Sequence, residues 1–373
     1  MKIANAANIV KSCIASSDII PVLKNLYINN GKLLSFNGAQ GISAKIDLED
    51  INCVVNGDAL VKIVNSIPHD KIELVMKSKE ELVISSSTKK RSRGSKTKVS
   101  LVAQPIKSFK SFVFKTEPDE VVCSFELTED VIYGIANCVS AVSESNMDAA
   151  LGGVALCFEN KKLKLYATDT VRMSRYVCDV RVTSSKPKFQ ILIPRAYCSL
   201  ITSLAKHIVG NTVTVGTNSI VINTDELSLF STTPQSVDFP DYEGVINKFT
   251  AYDNFCPVPA RFIEALNRCL VILVEAQGRV TVSFEGDNMT IKADSYIGSV
   301  VERVTLKSRF DLQPLDFNAE FLKQTLSLIE QMSFVRHDKS EITVIVGRKD
   351  RLLNILGSSN PEKQRASSDS EEE

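Results

Sequence analysis

A chain that repeats one supersecondary unit three times is confined to folds in which that unit packs beside copies of itself, and this sequence is such a chain. Three segments read as a short strand followed by an amphipathic helix, beginning at Lys2, Phe125 and Phe255, so the starts lie 123 and 130 residues apart. Each is followed by two alternating runs around a tight polar turn, from Leu26 to Phe36, from Val154 to Asp169 and from Val280 to Asp294. Alternation across such a turn is a hairpin signal. A second helix follows in each third, over Gly57–Ile67, Ile193–Ile208 and Phe317–Gln331, and further hairpin-like runs come after it, such as Thr212–Asn223 and Glu341–Leu356. Asp58, Thr128, Pro194, Pro259 and Asn318 stand near the helix starts, where orphan amides need an acceptor or a residue without an N–H.

The fold class this pattern predicts is α+β, with two helices packed on antiparallel sheets in each of three repeated domains, 1–122, 123–246 and 247–357. Helix periodicity gives each helix one apolar and one wet face. In the last helix Phe321, Leu322, Thr325, Leu326 and Ile329 form one stripe and Lys323, Ser327 and Gln331 another. Basic residues recur on the wet faces of five of the six helices: Lys11, Lys62, Arg195 with Lys206, Arg261 with Arg268, and Lys323. The third helix carries Glu129 and Asp130 instead. Any one such face is equally an ordinary solvated surface; the recurrence is what singles them out.

Charge decides how far that observation goes. The 44 Lys and Arg balance 44 Asp and Glu, so the bulk signal of a nucleic-acid binder is missing and a nucleic-acid role rests on where the cations sit. The longest apolar run, Cys269–Val274, is far shorter than the ~20 residues that span a bilayer, and no apolar signal core follows Met1-Lys2, so the expected location is cytosolic, with no membrane partner. Nine cysteines lie mostly in apolar segments with no C-x-x-C pair, which reads as reduced core residues rather than disulfides or zinc ligands. His69, His207 and His337 form no metal-spaced set, and no P-loop, G-x-S-x-G or H-E-x-x-H arrangement is present. Asp169 and Asp241 are better explained as strand-end and turn residues than as paired carboxylates. Neither catalysis nor a cofactor nor a metal is expected.

Three stretches then carry a resemblance to a known family. Leu163–Tyr176, with Ala167-Thr168-Asp169 followed by Arg172, is similar to a strand of the bacterial beta sliding clamp of DNA polymerase III. Asp238–Ile246, with Phe239-Pro240-Asp241-Tyr242, resembles that family's segment between its second and third domains, and Ile193-Pro194-Arg195 opens the fourth helix as it does there. Their order, their spacing and the three repeats make the resemblance specific over nearly the whole chain, to about residue 357.

The resemblance implies two chains joined head to tail as a ring of six domains, helices lining the hole, acting as a processivity factor on double-stranded DNA. The implied partners are DNA, a polymerase, a clamp loader and a second copy of the chain. The site would be the cytoplasm of a bacterial cell, or of an infected host cell if the chain is virus-encoded. A clamp-fold scaffold in transcription or repair is the alternative. By the same resemblance Lys11, Lys62, Arg195, Lys206, Arg261, Arg268 and Lys323 would face the DNA. A hydrophobic pocket for partner peptides would be walled by Leu151, Thr168, Thr170, Val171, Arg172, Met173, Pro240, Val245 and Ile355 or Leu356. Val99, Leu101, Val271 and Ile272 would meet the second subunit, unless they fill their own cores.

The chain departs from the family at several of these places. Thr170-Val171 replaces a Gly-His pair, Glu243-Gly244 stands where an Arg is usual, and Met147-Asp148-Ala149-Ala150 lacks the family's aromatic and basic DNA contacts. Two biased segments remain. Lys89–Lys98 has six cations in ten residues and reads as a hairpin tip, an electrostatic contact or a localisation signal. Residues 358–373, ending in Asp369-Ser370-Glu371-Glu372-Glu373, read as a disordered acidic tail.

Overall fold

The structure is a computed structural model. It describes residues 1–16, 20–48, 50–67, 72–87, 96–106, 117–118, 120–143, 148–234, 236–248, 256–259, 261–273, 278–307, 309, 314–327, 333–336, 342–347 and 351–357. The expectations for the basic stretch up to residue 95, for Met147 and for the acidic tail fall outside them.

The first repeat runs α1 (Ile3–Val10), β1 (Asn25–Asn29), β2 (Lys32–Phe36), β3 (Gln40–Lys45), β4 (Cys53–Asn56), α2 (Gly57–Ser66), β5 (Ile72–Ser78), β6 (Glu81–Ser87) and β7 (Lys96–Gln104). The second runs β8 (Val121–Glu126), α3 (Glu129–Val139), β9 (Gly153–Glu159), β10 (Lys162–Thr168), β11 (Arg172–Cys178), β12 (Val182–Ser184), β13 (Phe189–Pro194), α4 (Arg195–Ser203), α5 (Ala205–Ile208), β14 (Thr212–Gly216), β15 (Ser219–Asn223) and β16 (Leu227–Thr232). After a short helix α6 (Tyr242–Asn247), the third runs β17 (Cys256–Pro257), α7 (Phe262–Ile272), β18 (Arg279–Glu285), β19 (Asn288–Ser295), β20 (Gly298–Thr305), β21 (Leu315–Asn318), α8 (Ala319–Ser327), β22 (Ser333–Arg336), β23 (Ile342–Gly347) and β24 (Leu352–Gly357). Each repeat thus has its two helices at equivalent places, as the periodicity predicts. The expected fourth helix is broken, because Leu204 leaves helical geometry (φ −100°, ψ 9°) between α4 and α5.

The first hairpin of each repeat closes through a two-residue turn. Asn30-Gly31 (φ 47° and 71°) and Asn160-Lys161 (φ 54° and 62°) both take the left-handed conformations of a type I′ turn, whose twist matches that of the flanking strands. Caps act where polar residues were expected: Asn318 Oδ1 accepts from the Phe321 amide at 3.0 Å, and Thr128 Oγ1 from the Val131 amide at 3.3 Å. The cap of α2 is Asn56, accepting from the Ala59 amide at 2.9 Å, with Asp58 inside the first turn. Helices lie close to their sheets where small residues permit it; a Cβ on Gly134 of α3 would sit 2.9 Å from Leu165 Cδ1 and closer still to the Tyr176 ring.

The chain forms two compact units, 1–132 with 180–187 and 199–235, and 133–179 with 188–198 and 236–373. The second repeat, expected as one domain over 123–246, is shared between them. The reason lies in the sheets. One unit holds a twelve-stranded sheet of order β12-β8-β14-β15-β16-β3-β2-β1-β4-β7-β6-β5. The other holds an eight-stranded sheet, β13-β9-β10-β11-β24-β23-β22-β17, and a four-stranded one, β20-β19-β18-β21. Repeats are therefore stitched by hydrogen-bonded strands: β16 of the second pairs antiparallel with β3 of the first, and β24 of the third pairs antiparallel with β11 of the second.

Candidate functional site

The turn between β10 and β11 carries a polar network centred on Asp169 and Arg172. Asp169 Oδ1 accepts from the amides of Val171 (3.1 Å) and Arg172 (2.8 Å), the self-closing turn that Asp favours, while Thr168 Oγ1 donates to the Arg172 carbonyl at 2.7 Å. Thr170 sits in the left-handed region at φ 77°, which a β-branched residue adopts only at a steric cost. Arg172 itself is 7% exposed. Its Nε donates to Asp169 Oδ2 at 2.7 Å and a terminal nitrogen donates to Gln324 Oε1 at 2.8 Å, and its guanidinium carbon lies 3.8 Å from the Phe321 ring centroid. A buried cation is tolerated here because Nε is paired with a carboxylate, a terminal nitrogen is hydrogen-bonded and the flat face is stacked on a ring.

Strand alternation then divides the expected pocket residues. Met173 is in register with Ile355, and Arg172 with Leu356, so the two pairs lie on opposite faces of one sheet. The expected wall is thus not a single surface. On the face of Met173 and Ile355, a core cluster gathers Ala155, Cys157, Tyr166, Leu192, Leu353, Tyr242 and Ile246, with Val237, Phe239 and Val245 packed on it. Met173, Val245 and Ile355 are therefore brought together, and half-buried Pro240 leads into α6, its carbonyl accepting from the Tyr242 amide at 2.8 Å. Thr168, in register with Met173, ends β10 on that same face; Thr170 and Val171 make the turn that leads to Arg172, and Leu356 is buried with Arg172 on the other face. Leu151 lies half-buried in the one-turn segment Ala149–Leu151, which Asp148 caps through the Ala150 amide at 2.8 Å.

Helix α6 is fastened to that face by residues the pocket expectation omitted. Asp241 caps it through the Gly244 amide at 3.0 Å, and a Cβ on Gly244 would collide with the same carboxylate. Tyr242 stacks on Tyr166 with ring centroids 4.7 Å apart and planes 9° from parallel. Glu243 accepts from Lys164 Nζ and the Tyr166 hydroxyl. Burial pushes the Glu243 carboxyl up, but those hydrogen bonds and the Lys164 charge outweigh it and hold the group below the usual carboxylate range. Burial, then the bond to Glu243, pushes the Tyr166 hydroxyl well above its ordinary value. Period-two alternation along β10 and β11, read from Met173, identifies Tyr166 and Arg175 as companions on its face.

The basic residues expected on the helices occupy varied positions. Lys11 begins the 3-10 turn Lys11–Cys13 directly after α1, and Lys62 lies on α2; both are exposed. Between those two helices Asn8 and Asn65 exchange reciprocal amide hydrogen bonds of 2.9 Å. Arg195 opens α4 half-buried, and Lys206 is exposed on α5. Arg261 is exposed at the N-cap of α7, and Lys323 is half-buried on α8. Arg268 on α7 differs, since Glu302 of β20 takes it in a two-pronged ion pair at 2.6 and 3.0 Å.

Of the expected subunit-contact residues, Val99 and Leu101 lie in register with Ile84 and Leu82, both fully buried, and so face their own sheet's core side. Among the outward residues of that strand Val102 is the large apolar one, 78% exposed. On α7, Val271 is 77% exposed and Ile272 half-buried. Edge strand β20 adds Val301, 55% exposed, and the turn before it adds exposed Tyr296 and Ile297. The exposed ones were legible from alternation along β7 and β20 once the strand edges were known.

Among the described residues no three His, Cys, Asp or Glu side chains gather into a metal site, and no helix is long and apolar enough to cross a membrane. Among the described residues eight cysteines are free and buried; burial pushes the thiols of Cys13 up to about 12 and of Cys53 up to about 11, which leaves these two protonated and unreactive.

No family model matches the chain, and no curated protein does either. Solved structures do. A sliding clamp (DNA polymerase III subunit beta) from Pseudomonas aeruginosa, bound to griselimycin, is 19% identical with a TM-score of 0.81 over 96% of this chain and 97% of its own. The beta subunit from DNA polymerase of Streptococcus pyogenes is 16% identical, and a Helicobacter pylori beta clamp bound to a DNA ligase peptide 15%, each with a TM-score of 0.78 over 96% of this chain and 97% of that one. Three repeats of two helices on antiparallel sheets, stitched strand to strand, thus constitute in this chain the fold of the DNA polymerase III beta sliding clamps.

Proposed function

We propose that this chain is a DNA sliding clamp, two copies of which close head to tail into a ring around duplex DNA and hold a polymerase to its template. One observation carries the reading. The third hairpin strand of repeat one, β3, is covered by the last strand of repeat two, β16, and the third hairpin strand of repeat two, β11, by the last strand of repeat three, β24. By the same rule β20 requires the last strand of a following first repeat, which is β7. In the single chain β20 ends its sheet, and β4 reaches only Ala103 and Gln104 of β7. A second copy supplies each missing neighbour, closing the ring and removing both edges. Exposed Val102 and Val301 stand on those edges.

In such a ring the DNA contacts are Lys11, Lys62, Arg195, Lys206, Arg261 and Lys323, with Arg268 contributing less because Glu302 already engages it. Contacts of this kind read phosphate and not base, and a ring is retained by topology, so zero net charge is no obstacle. Partner peptides, from a polymerase and a clamp loader in the cytoplasm, dock beside α6 at Met173, Val245 and Ile355; the Helicobacter pylori clamp with its ligase peptide is the precedent for a clamp taking a peptide. The test is retention. Assembled on nicked circular DNA, the protein stays bound through gel filtration and is lost when the circle is cut. Equal retention on both forms would contradict encirclement and leave a clamp-fold scaffold in its place.

A further inference from the structure

Three hairpins occupy equivalent places, one in each repeat, and two of them show residue by residue how the next repeat attaches. Hairpins β2–β3, β10–β11 and β19–β20 turn about the central pairs Gly38-Ala39, Thr170-Val171 and Tyr296-Ile297. The Ala39 carbonyl accepts from the Thr232 amide at 2.9 Å, and the Val171 carbonyl accepts from the Gly357 amide at 2.9 Å. Thr232 and Gly357 are themselves equivalent, since each lies opposite the first residue of the preceding strand, Ser219 of β15 and Ile342 of β23. In β7 the residue in that position is Val102, opposite Glu81 of β6. The next amide agrees, because Ala103 donates to the Glu80 carbonyl at 2.9 Å as Thr233 donates to that of Asn218 at 3.0 Å.

We infer that two copies of the chain join with Val102 of one opposite Ile297 of the other, the Val102 amide donating to the Ile297 carbonyl, so that Ser100 meets Ser299 and Val99 meets Val300. The inference rests on the ring reading above and adds to it the register of the joint. Burial supports the same register independently. Val102 is 78% exposed and Ile297 54%, two large apolar side chains left bare at sheet edges, and the pairing covers each with the other. Lys98, Ser100, Ser299 and Val301 are exposed like them, whereas Val99, Leu101 and Val300 are half-buried. The register therefore sets exposed against exposed and half-buried against half-buried, and a slip of one residue would mix the two faces along the whole joint. Strand β4 holds β7 at Ala103 and Gln104, so a ladder that starts at Val102 clears it.

Disulfide trapping in the full chain, on variants shown by melting to be folded, tests the register. Ser100→Cys with Ser299→Cys puts thiols on directly opposed residues, whose Cα atoms stand about 5 Å apart in an antiparallel pair and can be bridged. Under diamide this variant runs as a covalent dimer on a non-reducing gel. Its yield is about ten-fold that of Ser100→Cys with Val301→Cys or of Lys98→Cys with Ser299→Cys, in which the residues are offset by two and roughly 7–8 Å apart. The single variants Ser100→Cys and Ser299→Cys cross-link no more than wild type, whose described cysteines are buried. A higher yield in an offset variant would overturn the register and leave the ring standing. A dimer by solution mass that none of the three pairs traps would overturn the joint of β7 with β20, and a monomer at every concentration would overturn ring closure and the inference with it.

Discussion

Arg172 of the second repeat lies with its guanidinium carbon 3.8 Å from the ring centroid of Phe321 in the third, and this contact ties the β10–β11 turn to helix α8. Stacking needs a flat cation, and the bonds to Asp169 and Gln324 need its fork. Arg172→Lys keeps the charge and loses both, so it destabilises by about 2 kcal/mol in urea titration. A loss under about 0.5 kcal/mol, the size of an exposed substitution, would show the contact to be incidental.

Thr170 pays for its φ of 77°. Replacing it with Gly removes the clash of Cβ with the backbone but gives the unfolded chain more freedom, and the difference favours the folded protein by about 0.5 kcal/mol. Thr170→Gly therefore melts higher than wild type. A lower melting temperature would mean that the threonine side chain contributes more than its strain costs.

Gly153 opens β9 against Ile193, where a Cβ would lie 2.9 Å from the Ile193 carbonyl carbon and overlap its oxygen. Backbone cannot rotate away as a side chain does. Gly153→Ala costs about 2 kcal/mol or more, read as a lower denaturant midpoint at unchanged slope. An unaltered midpoint would contradict the close approach of β9 and β13.

The Glu243 carboxyl, held down by Lys164 and Tyr166, makes one contribution to stability depend on pH. Its folded-state value lies below the ordinary 4.5, so the contribution is present above that pH and is lost as pH falls through the folded value. Because the group is partly exposed, the effect is modest. Unfolding titrations from pH 7 to 3 show wild type losing its advantage over Glu243→Gln on the acid side, whereas parallel profiles would remove Glu243 from the linkage.

Most of the architecture was legible in the sequence because it is local. The helix of Phe262–Ile272 and the hairpin turn at Asn30-Gly31 announce themselves through periodicity and turn chemistry within a dozen residues. The division of the second repeat between two units was not legible, since it depends on which strand meets β3 and β11, and pairing between residues such as Met173 and Ile355 leaves no short-range trace. The site was half legible for the same reason. Arg172, Met173 and Val245 lie in stretches with a recognisable pattern, but Arg172 and Met173 fall on opposite faces, and Lys164, Tyr166 and Arg175 join the site only through the register of β10 and β11.

Ring closure is the claim on which the function depends, and solution mass across a dilution series tests it most directly. Closure by two chains predicts twice 41.1 kDa, falling to 41.1 kDa when Val102→Glu and Val301→Glu charge the two open edges. A wild-type monomer persisting at the highest concentration, or a dimer indifferent to both substitutions, would contradict it.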